Sequence, residues 1–190
     1  MSVPDVSSAG DEQTGPEPSL EWVREFVGPW FDAWNSHRAD RVLEFLTEDV
    51  ELRDDSWPRT MHGHADVREF REALWRALPD LTFQLLDGPY VIPGEPRASL
   101  HWRGAGTFTG VMDPPGFAPT GRRWESDGAD FQEYRDGRIC KLRVTFDMLG
   151  VGRQLGLMPA SGSLGERAMA AAQRALMRLR EGYRRRASRG

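Results

Sequence analysis

A single cysteine, a single lysine and the want of any long apolar run set the first limits on this chain of 190 residues. Cys140 has no second cysteine to pair with, so an intramolecular disulfide is excluded and a cysteine-based zinc site has no ligand set to draw on. With no activating neighbour, Cys140 reads as a packed thiol in a strand rather than a nucleophile. The apolar runs are only a few residues long, against the roughly 20 needed to cross a bilayer. The first residues also lack the basic-then-apolar pattern of a signal peptide, so a cytoplasmic protein with no membrane partner is expected. No Walker loop, dinucleotide fingerprint, Ser-His-Asp order or zinc signature occurs, and no cofactor or metal is expected. A net charge of -4 gives no general attraction to nucleic acid. That charge is uneven, because residues 163–190 hold eight arginines against Glu166 and Glu181 while the rest is acidic. Lys141 as the sole lysine fits the Arg and Ala bias of a GC-rich bacterial genome and carries no functional message.

Residues 1–18 are rich in Ser, Gly, Pro and acid and are expected to be disordered. From Ser19, a plausible N-cap, Val23, Phe26, Val27, Trp30 and Trp34 keep helical spacing, with Gly28-Pro29 expected to kink or interrupt the helix. A short helix from Asp40 to Leu46 and a strand from Val50 to Asp54 follow. A third helix after Gly63 aligns Val67, Phe70, Leu74 and Leu78 and ends at Pro79. The period then changes to that of extended chain over Leu81–Ile92, Ala98–Thr109 and Arg122–Phe146, the last turned back at Asp136-Gly137. Helices first and strands afterwards predict an α+β fold, with helices packed on one side of a sheet of about four to six strands. Asp147 can cap a short helix, and Ser163 and Glu166 have capping-box spacing. The final helix carries Met169, Ala172, Leu176, Leu179 and Tyr183 at steps of three and four, a stripe expected to dock on the domain or on a partner subunit. The expected division is a tail over 1–18, a domain over 19–158 and an Arg-rich amphipathic helix over 159–190.

Three ordered stretches resemble one superfamily. They are Ala33-Trp34-Asn35-Ser36-His37 leading through Asp49-Val50; Gly106-Thr107-Phe108-Thr109-Gly110 followed by Gly116-Phe117-Ala118-Pro119-Thr120-Gly121-Arg122-Arg123; and Asp136-Gly137-Arg138-Ile139 continuing to Asp147 and Gln154-Leu155-Gly156. Together, over roughly residues 20–158, they are similar to the nuclear transport factor two-like superfamily and, within it, to the SnoaL-like polyketide cyclases, also called ester cyclases. The resemblance implies a cone: a curved antiparallel or mixed sheet wrapped around N-terminal helices, open at one end to an apolar pocket, in a homodimer. The same fold hosts cyclases, isomerases, epoxide hydrolases, dehydratases and proteins with no catalysis, so the residues themselves must argue for function.

Strand alternation places Trp124, Ser126, Gly128, Asp130, Gln132 and Tyr134 on one face, with Leu142, Val144 and Phe146 matching on the next strand. On the resemblance, the pocket histidine of the aldol cyclases falls at Asp130 and their catalytic aspartate at Val144, which cannot transfer a proton. Phe108 stands where many relatives have histidine. Asp130 is the first candidate acid or base, because a carboxylate among Trp124, Val144 and Phe146 would be desolvated; the plain alternatives are a structural carboxylate or a one-residue slip that turns it outward. Asp54, with Asp55 at the end of the first strand, lies near where ketosteroid isomerases of the superfamily place a general base; a solvated or turn-capping carboxylate is the alternative. Trp30, Trp34, Trp57, Phe108, Trp124, Val144 and Phe146 are the candidate substrate contacts, Trp57 as a lid over the pocket or a cover over the core. His101 is out of phase with Ala98, Leu100 and Trp102 and should face away, and His62 and His64 lack a third metal ligand. In some registers the outward face of the sheet shows Trp102 or Phe131, and on the resemblance this face is expected to pair with a second copy. The resulting expectation is a cofactor-free enzyme that moves protons on a small apolar polyketide-like or terpenoid-like molecule by cyclisation, isomerisation or epoxide opening. The competing one is a noncatalytic binding or assembly module.

Overall fold

The computed structural model describes residues 19–187, without the side chains of 182, 183 and 185–187. The expected disordered tail over 1–18 and the Tyr183 side chain therefore lie outside the described residues. The elements are α1 (Leu20–Asn35), α2 (Ala39–Leu43), β1 (Leu46–Asp54), β2 (Met61–His62), α3 (Gly63–Ala77), β3 (Thr82–Val91), β4 (Arg97–Thr107), β5 (Arg123–Arg135), β6 (Arg138–Phe146), α4 (Met148–Gln154) and α5 (Leu164–Ala187).

Six strands form one mixed, curved sheet in the order β2-β1-β6-β5-β4-β3. The strands β3 to β6 follow one another as an antiparallel meander, the topology with the shortest connections, while β1 lies parallel to β6. The fold is α+β: α1 packs on β3, α3 on β1, and the helices fill the concave side of the sheet. Between these layers lies a core built from Val23, Trp30, Val42, Leu46, Leu52, Phe70, Leu100 and Leu142, all essentially inaccessible to water.

Local signals explain most of the boundaries. The Ser19 hydroxyl accepts from the Trp22 N–H at 3.1 Å and caps α1, a contact worth about 1 kcal/mol. The turn between β5 and β6 falls at Asp136-Gly137, both with positive φ, as a tight hairpin requires. The expected interruption of α1 at Gly28-Pro29 does not occur, and the helix runs unbroken. Both residues, and Glu25 whose carbonyl loses its helical partner to Pro29, lie on the exposed side, where water satisfies that carbonyl. Below them, Val27, Trp30, Ala33 and Trp34 anchor the opposite face. The second helix starts at Ala39 rather than Asp40, and β1 begins at Leu46, four residues earlier than its alternation predicts.

The final helix forms with Ser163 as its cap, the Glu166 N–H donating to the Ser163 hydroxyl at 3.2 Å. Its stripe is not docked on the body: Met169, Ala172, Leu176 and Leu179 are exposed, Leu179 by 64%. The contact with the body near its start is the Arg153–Glu166 ion pair at 2.7 Å. No described helix is long and apolar enough to cross a membrane.

Candidate active site

The concave side of the sheet leaves a cavity of about 160 Å³, whose walls are almost wholly apolar. Trp30, Phe31 and Trp34 of α1 form one wall; Phe83, Trp102, Trp124, Val144 and Phe146 of the sheet form another. Residues of α4 and of the loop between β4 and β5, among them Met112, Pro114, Pro115 and Phe117, complete the lining. That loop is pinned at its base, where Phe108 and Arg122 share a backbone hydrogen bond at 2.9 Å and Gly121 donates to the Phe108 carbonyl at 2.8 Å. Its tip closes on itself through Met112 and Phe117.

Two carboxylates interrupt the apolar lining, Asp130 from β5 and Asp54 from the end of β1. Asp130 is paired across the sheet with Leu100 on one side and Val144 on the other, and its side chain is 5% exposed. Three donors converge on it: the Trp102 indole N–H at 2.8 Å, the Gln132 amide at 3.2 Å and the Trp30 indole N–H at 3.5 Å. Tyr134 in turn donates its hydroxyl to the Gln132 carbonyl oxygen through a short hydrogen bond. The alternation of β5 thus aligns a polar ladder, 130, 132, 134, on the inner face. Burial nonetheless dominates and pushes the Asp130 carboxyl up to about 6; the three hydrogen bonds and Arg71 pull against it.

Asp54 is equally withdrawn from solvent and caps the turn that follows β1, accepting from the Ser56 N–H at 2.8 Å and from its hydroxyl at 2.5 Å. Burial raises its pKa too, against the two Ser56 contacts and Arg71. Its neighbour Asp55 turns to the outer face and binds Arg143 at 2.6 Å and Thr145 at 2.8 Å.

Arg71 is the residue that the sequence reading missed. It is fully buried in α3, its guanidinium carbon lies 2.9 Å from the centre of the Trp34 ring, and Phe70 flanks it at 4.7 Å. None of its three guanidinium nitrogens has a hydrogen-bond partner among the described residues. Desolvation brings its pKa down to about 9, although both Asp54 and Asp130 act on it to raise it. The signal was present: position 71 lies four after Val67 and three before Leu74, so an arginine occupies the buried stripe of α3.

Of the candidate contacts, Trp30, Trp34, Trp124, Val144 and Phe146 line the cavity together with both aspartates. Trp57 and Phe108 do not: Trp57 packs tilted against Phe70 with ring centroids 5.2 Å apart, and Phe108 is wholly buried at the base of the loop. Trp102 does not face outward; it is 3% exposed and belongs to the cavity wall, because the apolar set of β4 that it shares with Ala98 and Leu100 points inward. The outer face of the sheet carries the exposed Phe131 amid cross-strand ion pairs such as Arg103–Asp127 at 2.7 Å and Arg97–Glu133 at 3.3 Å. His101 lies on that face, 3.9 Å from Asp127. His64 contacts the Leu46 carbonyl, Asp147 caps α4 through the Gly150 N–H at 2.8 Å, and Cys140 is a half-buried thiol. Among the described residues no group of His, Cys, Asp and Glu is placed to hold a metal ion.

A family profile described as the SnoaL-like domain matches residues 27–142, the span that supplies both aspartates and most of the cavity wall. The chain belongs to the SnoaL-like domain family. Solved structures share the fold at low identity. AclR from Streptomyces galilaeus, provisionally named a hydroxylase, is 20% identical, with 85% of this chain and 98% of that one covered at a TM-score of 0.63. TsrD from Streptomyces laurentii is 22% identical, with 70% and 94% covered at 0.60. A protein from a Jannaschia species, provisionally named a SnoaL-like polyketide cyclase, is 19% identical, with 76% and 99% covered at 0.63. No curated protein sequence is significantly similar to this chain. At these identities the likeness establishes the fold alone.

Proposed function

We propose that this SnoaL-like protein is an enzyme that moves protons on a small, largely apolar molecule of polyketide or terpenoid type, by cyclisation, isomerisation or epoxide opening, without a cofactor. The observation that carries the reading is the pair of buried carboxylates, Asp54 and Asp130, opening onto one apolar cavity. A carboxylate in water is almost fully ionised at neutral pH and is a weak base; burial strengthens it, and a carboxyl near pH 6 can both accept and return a proton at working pH. The two groups are not equivalent. Asp130 receives three N–H donors from three side chains and is the first base, and Asp54, which accepts from the Ser56 N–H and hydroxyl, is the second group available for proton transfer. Trp30, Trp34, Trp124, Val144 and Phe146 hold the substrate by apolar contact. A second copy, paired through the outer sheet face around Phe131, completes a homodimer.

The test is to replace Asp130 by Asn, which keeps the size and one acceptor oxygen for an indole N–H but cannot take a proton. Turnover should fall by about 10² to 10⁴-fold, with the affinity for an uncharged apolar ligand nearly unchanged. An unchanged turnover would remove Asp130 from the chemistry. A noncatalytic binding module of the same fold is the second reading, and one observation favours it: Val144, directly opposite Asp130, stands where the aldol cyclases carry their catalytic aspartate. In that case Asp130→Asn weakens binding and no turnover is found.

A further inference from the structure

The aromatic side chains around Asp130 close into a circuit. Trp30 meets Trp34 edge to face with centroids 5.6 Å apart, Trp34 meets Phe83 at 5.1 Å, and Phe83 meets Trp102 at 5.2 Å, again edge to face. The gap between Trp102 and Trp30 is bridged by Asp130, on which both indole N–H groups converge. Four rings and one carboxylate thus form a continuous band, and all five line the cavity.

Such a band suits a positive charge better than a neutral apolar group. The faces of indole and phenyl rings carry negative potential, and a cation desolvated among them gains more than it does at an exposed site. The band already takes one cation on its margin, since the Arg71 guanidinium sits on Trp34 rather than in a hydrogen bond. Charge counting points the same way. The ionisable groups that act on one another here are Asp54 from β1, Asp130 and Tyr134 from β5 and Arg71 from α3, together with Asp55, whose charge is offset by its ion pair with Arg143. Tyr134 is neutral, so with both carboxylates ionised one guanidinium leaves a net charge of about minus one among side chains that are almost fully buried. A neutral ligand would have to coexist with a proton on one carboxyl; a ligand cation can take that proton's place.

We propose that the cavity binds molecules bearing one compact positive centre of ammonium type on an apolar body, the centre enclosed by Trp30, Trp34, Phe83 and Trp102 against Asp130. The inference rests on the reading of this cavity as the ligand site and narrows the class of molecule that enters it. The space available matches a benzene-sized body with a small head.

The probes are phenyltrimethylammonium and its uncharged isostere tert-butylbenzene, titrated into the full chain and followed by the tryptophan indole ¹H–¹⁵N resonances. At pH 7.5 the cation should bind at least about 10-fold more tightly than the isostere. That advantage should shrink at pH 5, where Asp130 is protonated, and vanish in Asp130→Asn while tert-butylbenzene binding is retained. If tert-butylbenzene binds as tightly as the cation, or more tightly, at pH 7.5, the cation proposal is overturned and the apolar-pocket reading survives. If neither probe moves the indole resonances, both fall. The comparison of the two probes in the unaltered protein decides the matter even if the variant does not fold.

Discussion

Trp102 faces Gly128 across the β4–β5 ladder, and the edge of its indole occupies the space that a side chain at position 128 would need. This vacancy lets the ring lie against the sheet and deliver its N–H to Asp130, two residues along the same strand as Gly128. Glycine at 128 is thus required by packing against a neighbour, and its function is to position the donor that holds the carboxylate.

Gly128→Ala is expected to displace the Trp102 ring and lengthen or break its hydrogen bond to Asp130. Overpacking of this kind costs about 1 to 3 kcal/mol. Losing a donor to the carboxylate should also move the Asp130 titration above about 6, because that hydrogen bond now lowers it. Thermal melting reads the first effect and the pH dependence of the Trp102 indole resonance the second. A midpoint that stays in place would show that Trp102 does not tune Asp130.

Burying an ionised Asp130 works against folding. Its pKa is raised from 3.8 to about 6 in the folded protein, so the native state binds the proton more tightly than the unfolded chain. This group's contribution to stability is therefore full below about pH 4, falls as pH rises to about 6, and is then constant. The loss amounts to at most about 3 kcal/mol. Asp130→Asn removes that pH dependence, so the melting temperature of the variant relative to the parent should rise between pH 4 and pH 7. Parallel melting curves across that interval would contradict the shifted carboxyl.

Arg71→Met is expected to keep the stacking volume against Trp34 and Phe70 while removing a charge that has no hydrogen bond to lose. Near pH 5 the variant should melt no lower than the parent, since replacing a buried ion by an apolar side chain of similar length is often neutral or stabilising. The Asp130 midpoint should rise, because Arg71 now lowers it. An unchanged midpoint would place Arg71 outside the electrostatics of the site.

Removing residues 163–190 should leave the melting of the body within a few degrees, because the stripe of α5 is exposed rather than packed on it. If the stripe instead serves a partner subunit, light scattering will show fewer subunits per particle for the truncated chain than for the intact one. The same number of subunits in both, with the body also unchanged, would assign the exposed leucines no role in assembly.

How much of this was legible beforehand follows from the range of the interactions. Periods of 3.6 and 2, the Ser19 and Asp147 caps and the Asp136-Gly137 turn are contacts within a few residues, so the sequence alone determined the helices, the meander and that Asp130, Gln132 and Tyr134 share a face, though not that this face is the inner one. The continuity of α1 through Pro29 was not readable, because it depends on which side of the helix meets solvent and on the packing of Trp30 and Trp34 beneath it. Only the tertiary structure decided that Trp57 and Phe108 do not line the cavity, that Trp102 turns inward to Asp130, and that an arginine from α3 is sealed beside two carboxylates from β1 and β5. Those placements join residues dozens of positions apart. Their energies come from desolvation and ring packing that do not exist until the sheet has curved around the helices.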